Sequence, residues 1–310
     1  MDGSLVDRSP NNLIPVVCLL FAMLIWASTF VVLKIAFRVY DPMVVIFGRM
    51  LVASSCAVFF PFVFKNINLR RKDLKYMAMM VICEPCLYFT FEAKALVYTS
   101  AAQAGMITPI MPLLVAIAAW FFLKESLTPR VVLGLLVAIS GAVWLSLLSQ
   151  PSEHASNPIL GNFLELIAMV CAAGYAVCLK KLTSRYSPLF LTFLQAFGGA
   201  VFFFPVLFFP GTELPTGIIP TPFLSILYLG TAVTLGAFGL YSYAVSKIPA
   251  SQATAFINLI PVFTMIMSAI VLGEWFTKGQ YFASCLVFAG VVISQSEMIG
   301  KKAKMNFKKI

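Results

Sequence analysis

Nearly every part of this chain recurs about 150 residues later, and each copy holds five apolar segments of membrane length. At an offset of 146, Lys34, Tyr40, Pro42 and Phe47 fall on Lys180, Tyr186, Pro188 and Phe193. At an offset of 149, Gln103, Pro112, Glu125 and Gly141 fall on Gln252, Pro261, Glu274 and Gly290. The step from 146 to 149 places three extra residues in the second copy, most simply in the Pro/Gly loop around Phe209 to Pro222. Shared apolar composition explains matched Ala and Leu, but not Lys, Tyr, Pro, Gln and Glu in register. An odd number of spans per copy forces the second copy to enter the bilayer from the opposite side. Inverted repeats of this kind build many secondary transporters around a midplane site.

The chain is 61% apolar and 11% charged, against roughly 45–50% and about 25% in soluble domains. About 20 apolar residues cross a bilayer core. The expected fold is therefore an all-α integral membrane protein of ten transmembrane helices, near 15–37, 42–64, 74–96, 99–122, 130–148, 160–182, 188–209, 222–246, 250–272 and 277–298. This divides the chain into an N-terminal tail 1–14, a first repeat 15–148, a loop 149–159, a second repeat 160–298 and a basic tail 299–310. With the N-terminus inside, seventeen of the 22 Lys and Arg fall on the cytoplasmic side. That asymmetry places both termini in the cytoplasm. The net charge of +10 reads as anchoring on anionic lipid, not as a nucleic-acid surface. The first segment lacks the basic start and small-residue cleavage site of a signal peptide.

Seven cysteines, all within predicted spans, do not make a disulfide framework, and the Cys83/Cys86 pair lacks a second ligand pair. His154 is the single histidine, so metal clusters and histidine-dependent triads are unsupported. No phosphate-binding glycine loop is present and no cofactor is expected.

The run IWASTFVVLK, Asp41-Pro42 followed by Arg49, the segment ALVYTSAAQAGMITPIMPLLVAI and the closing LKESLTPRVVLGLLVAISGAV resemble EamA-type members of the drug/metabolite transporter superfamily. The second copy repeats the theme in GYAVCLKKL, AVSKIPASQATAFINLIPVFT and LGEWFTKGQ. The resemblance covers all but the tails. It implies ten helices in two inverted five-helix repeats that move small metabolites across the cytoplasmic membrane, often outward. Gln195 stands where the first copy has Arg49, and Ala172 where it has Trp26, so unequal contributions from the halves are expected.

Function should reside in polar groups that lipid excludes. Glu84 sits mid-span, where an ionised side chain costs about 2.5–3.5 kcal/mol, and Pro85 after it invites a kink that frees carbonyls for a ligand or water. Glu84, Tyr88 and Glu92 share one helix face. Either Glu84 lines a cavity and carries protons, or it locks packing against Arg49 or Lys94. Arg49 cannot be neutralised, which suits an ion pair or a clamp on a substrate carboxylate. Trp26, Tyr88, Tyr175 and Tyr241, with Phe91 and Tyr243, are candidates for an aromatic lining, although ordinary packing explains any one of them. Gln103, Thr108, Gln252 and Asn258 bridge helices or contact substrate. A central cavity is expected among the first, third, fourth, sixth, eighth and ninth spans, lined by Trp26, Tyr88, Gln103, Tyr175, Tyr241 and Asn258. Glu125 and Glu274 are expected to cap the helices that follow them.

The candidate substrate-binding set is thus Trp26, Arg49, Glu84, Tyr88, Gln103, Tyr175, Tyr241 and Asn258, with Glu84 for proton coupling. The expected activity is alternating-access export of an amino acid or related metabolite, with a small-molecule substrate and membrane lipid as partners. The residues leave oligomeric state open, a monomer included. A non-transporting scaffold or receptor-like bundle tolerates the repeat but gives no reason for Glu84. An intramembrane enzyme needs a nucleophile or metal constellation that the sequence lacks.

Overall fold

The computed structural model describes residues 13–65, 67–123, 129–152, 155–248 and 250–307. Among them the regular structure is helical, apart from one bridge between Ser152 and Ala155. The helical segments are α1 Leu13–Phe37, α2 Pro42–Phe59, α3 71–98, α4 101–123, α5 Pro129–Leu148, α6 Pro158–Leu182, α7 Pro188–Val206, α8 Pro220–Lys247, α9 250–272 and α10 Lys278–Phe307. By length and composition, seven described stretches suffice to cross a membrane: α1, α2, Ala101–Ala118 of α4, α6, α7, α8 and Ala253–Leu272 of α9. Ten were expected. One of the remaining three, α3, is broken into two eleven-residue α-helical pieces around a short π-helical turn.

Large apolar side chains cover the outside, with Ile270 78% and Phe197 62% exposed, while Arg49, Glu84, Glu92 and Glu165 are buried. That inversion suits a chain whose surroundings are hydrocarbon.

The residues that mark the repeat do matching work in each copy. Asp41 accepts a hydrogen bond from the Met43 amide and Ser187 from that of Phe190, each before a proline that opens a helix, α2 and α7 respectively. The Tyr40 hydroxyl donates to the Gly217 carbonyl (2.7 Å) and accepts from the Ile219 amide (2.8 Å), tying the α1–α2 turn to the loop before α8. Its counterpart Tyr186 donates to Asp73 (3.1 Å) and accepts from the Arg70 amide (3.2 Å), tying the α6–α7 turn to the loop before α3. Lys180 donates to the Val245 and Ile248 carbonyls at the end of α8, at 2.7 and 2.9 Å.

Packing follows the same exchange. Helix α1 of the first copy lies on α8 and α9 of the second, while α6 of the second lies on α3 and α4 of the first. The second helices pair, α2 with α7, and so do the fifth, α5 with α10. At the α5–α10 crossing, a Cβ on Gly141 would come within 2.7 Å of the Val287 nitrogen, and one on Gly290 within 2.5 Å of the Ala138 nitrogen. Only glycine permits that approach. Glu274 differs from expectation: its carboxylate accepts from the Ala101 and Ala102 amides at 3.3 and 3.0 Å, capping α4 of the other copy and not the helix that follows it. Glu125, His154 and the side chain of Gln252 lie outside what is described.

Candidate functional site

Four helices lose regular geometry, in equivalent pairs. Helix α3 breaks at Glu84, whose backbone is extended (φ −148°, ψ 116°) ahead of Pro85. Its counterpart α8 widens into a π-helix over Leu229–Ala237, and the 149-residue offset carries 82–87 onto 231–236 inside that stretch. Helix α4 tightens to a 3₁₀ turn at Thr108–Ile110 and α9 at Phe256–Leu259. Such interruptions free backbone groups that lipid cannot satisfy. The kink at Pro85 is expected to free carbonyls for a ligand or water, but the Glu84 carbonyl is not free. The Gln195 side-chain amide donates to it at 3.0 Å. Arg49, the counterpart of Gln195, donates through Nε to the Thr234 hydroxyl at 3.2 Å, within the break of α8. Each second helix therefore reaches into the broken third helix of the opposite copy.

Between these breaks lies a cavity of about 50 Å³, lined from α1, α2, α3, α4, α6, α8 and α9. At roughly 10–15 Å³ per water, it holds a few waters. Trp26, Phe89, Tyr175, Phe238 and Tyr241 form its aromatic wall. Trp26 meets Phe238 and Tyr241 at ring-centroid distances of 5.0 and 4.9 Å, and Phe238 also meets Tyr175 at 6.3 Å. Arg49, Glu84, Tyr88 and Glu92 supply the polar wall.

The electrostatics of this wall are unusual for a buried site. The Arg49 guanidinium stacks 4.2 Å over the Phe89 ring, and neither terminal nitrogen has a hydrogen-bond partner. Glu84 and Glu92 lie within its electrostatic reach. Glu92 accepts from the Tyr88 hydroxyl at 2.9 Å through one oxygen, and its other oxygen is unpartnered. The Trp26 indole and the Tyr175 and Tyr241 hydroxyls are also buried without partners. Buried polar groups are normally satisfied; a concentration of open donors and acceptors around one cavity is a ready set of contacts for a small polar molecule.

Of the eight residues singled out in the sequence, Trp26, Arg49, Glu84, Tyr88, Tyr175 and Tyr241 line the cavity. Gln103 and Asn258 do not. The Gln103 side-chain oxygen accepts from Thr99 and Asn162 at 3.2 Å each, in a network that also holds Ser146. Asn258 carries a buried, unpartnered oxygen beside the lining residues Ile257 and Ile260. Phe91 and Tyr243 lie outside the lining, and Arg49 brings α2 into a cavity expected from six other helices. Glu165, fully buried on α6, was not singled out. An acidic residue inside a predicted span was the available signal. The repeat pointed away from it, because its counterpart is Leu19.

A sequence model of the EamA-like transporter family matches residues 13–147 and 159–295, one copy each. A transporter of unassigned role from Archaeoglobus fulgidus is 31% identical over 87% of this chain and 82% of its own length. A protein from Streptantibioticus cattleyicolor described as a probable terminal-alkyne amino-acid exporter is 24% identical, over 92% and 94% of the two chains. A solved crystal structure with 16% sequence identity superposes with a TM-score of 0.63, covering 90% of this chain and 96% of its own, which supports the fold. With both repeats matched over almost their whole length, the chain belongs to the EamA-like transporter family.

Proposed function

We propose that this transporter exports an amino acid or a related zwitterion across the cytoplasmic membrane by alternating access, its ten spans forming two inverted halves with both termini inside. The observation that carries the substrate class is the pairing of opposite charges in one small aromatic cavity. Arg49 offers two unpartnered guanidinium nitrogens, and Glu84 and Glu92 line the same space. A substrate carboxylate suits the planar fork of Arg49. Its ammonium group suits Glu84 and the faces of the surrounding rings. The description of the Streptantibioticus relative favours the same class.

A cavity of about 50 Å³ is far below the roughly 300–1,000 Å³ of ligand sites. Substrate therefore enters by movement of the halves, for which the four helix interruptions provide bending points. Glu84, at the sharpest of them, couples that movement to a proton. Counterflow of radiolabelled amino acids into proteoliposomes loaded with the same compound tests the reading. Exchange of amino acids, with sugars and nucleotides inert, is the expected result. Exchange of sugars or nucleotides with amino acids inert overturns it.

A further inference from the structure

Glu165 is wholly enclosed, yet it lies outside the cavity lining and neither carboxyl oxygen has a hydrogen-bond partner. It stands on α6, one turn before the lining residue Met169. Glu92 on α3 is the ionisable group that acts on it, across the contact between these two helices. Tyr88 and Glu84 on α3 and Arg49 on α2 complete the charged and titratable groups around the pair. The faces of α4 and α5 that pack nearby bring Gln103 and Ser146, which do not ionise.

The two carboxyls are not equivalent. Glu92 has a hydroxyl donor at 2.9 Å and the guanidinium within reach, two contacts that favour its charged form over that of Glu165. Glu165 has neither. Placing a second full charge beside the first, without a partner, is strongly unfavourable in a low-dielectric interior. Two carboxyls sharing such a site hold a proton between them. The guanidinium acts on Glu84 and Glu92 and not on Glu165, so it does not neutralise the cluster.

We propose that Glu92 and Glu165 form a proton-binding site in the wall between α3 and α6, separate from Glu84, with the proton on Glu165 and the charge on Glu92. Because Glu92 lines the cavity, it is also the outlet. The O–H bond of Glu165 breaks, the proton passes to Glu92 and from there to cavity water, and a carboxylate remains on Glu165. The ammonium group of an entering amino acid faces the charge left behind while its carboxylate takes the fork of Arg49, so binding of one zwitterion releases one proton. That exchange rests on the transport reading above. The site does not.

Infrared difference spectra of the full chain in lipid nanodiscs, recorded without ligand while pH is stepped, test the site directly. The wild type should show a C=O stretching band of a buried protonated carboxyl. The band should vanish in Glu165→Gln, persist in Glu84→Gln, and move in frequency without vanishing in Glu165→Asp. If Glu165→Gln does not fold, the frequency move in Glu165→Asp carries the test. A band unchanged in every folded Glu165 variant overturns the site. In proteoliposomes with a trapped pH dye, pulses of L-leucine should drive proton flux in the wild type and not in Glu165→Gln. A Glu165 band without leucine-driven flux upholds the proton site and counts against the exchange alone.

Discussion

Phe89 and Phe238 hold the same place in the two copies, and their rings meet edge to face, centroids 6.1 Å apart and planes at 89°. The two copies therefore meet at a counterpart pair in the cavity wall. Residues on either side of it are counterparts, yet they differ in kind. Glu84 faces a site whose other half holds Val233, and the counterpart of Glu92 is Tyr241. The first copy supplies the charge and the second supplies apolar and aromatic surface.

Arg49→Lys should fold, because it keeps the charge, and should lose the two-pronged contact. Charge-assisted hydrogen bonds contribute about 1.5–3 kcal/mol, so half-saturation for a carboxylate-bearing substrate should rise about ten- to a hundredfold. Counterflow titrations check this. Unchanged half-saturation would assign Arg49 to packing on Phe89 and Thr234.

Glu84→Gln preserves shape and removes titration. Accumulation driven by a pH gradient should be lost while counterflow exchange continues. A folded variant that accumulates substrate like the wild type would remove Glu84 from coupling.

Glu274 caps α4 from the opposite copy, so its loss should loosen the two halves together. Glu274→Gln removes the charge facing the helix dipole, about 0.3–1 kcal/mol, and Glu274→Ala removes the cap, about 1–2 kcal/mol. Thermal unfolding in detergent should rank wild type, Gln, then Ala. Equal stability of Ala and wild type would show the cap to be idle.

Asp73 joins the first turn of α3 to the α6–α7 turn through Arg185, at 3.1 Å, and Tyr186. Burial raises its carboxyl, but hydrogen bonds from Arg185 and Tyr186 and the charges of Arg185 and Lys72 outweigh burial and hold it below its ordinary value. Its stabilisation is therefore complete above the unfolded value of about 3.9 and is lost as pH falls through the lower folded value. Wild type should melt above Asp73→Asn at neutral pH, with the gap closing under strong acid. A gap independent of pH would assign the loss to packing.

The sequence was most legible where a residue type recurs under the same constraint. Pro42 and Pro188 both open helices, and Tyr40 and Tyr186 both tie a turn to a distant loop. Lys180 was in register because it satisfies helix-end carbonyls. Pro85 announced the break in α3, but nothing in LGTAVTLGA announced the π-helix in α8. That second break lies where α8 packs against α1 and α2. Gln103 reads as a cavity residue until its partners Thr99 and Asn162 are known, and Asn162 comes from across the repeat boundary. Glu165 escaped because its significance depends on a neighbour 73 positions away in the chain, Glu92.

The glycine crossing of α5 and α10 has the geometry of a contact between identical partners. Gly141 meets α10 and Gly290 meets α5 at counterpart positions, so a single five-helix unit presents both sides of the joint. Such an isologous surface is what a symmetric homodimer uses. Joining the two units in one chain keeps the joint and lifts the requirement that both carry the same residues. A homodimer must place any acidic residue twice, once on each side of its axis. The fused chain places Glu84 and Glu92 once each, opposite Val233 and Tyr241, so one copy alone supplies the carboxylates of the cavity.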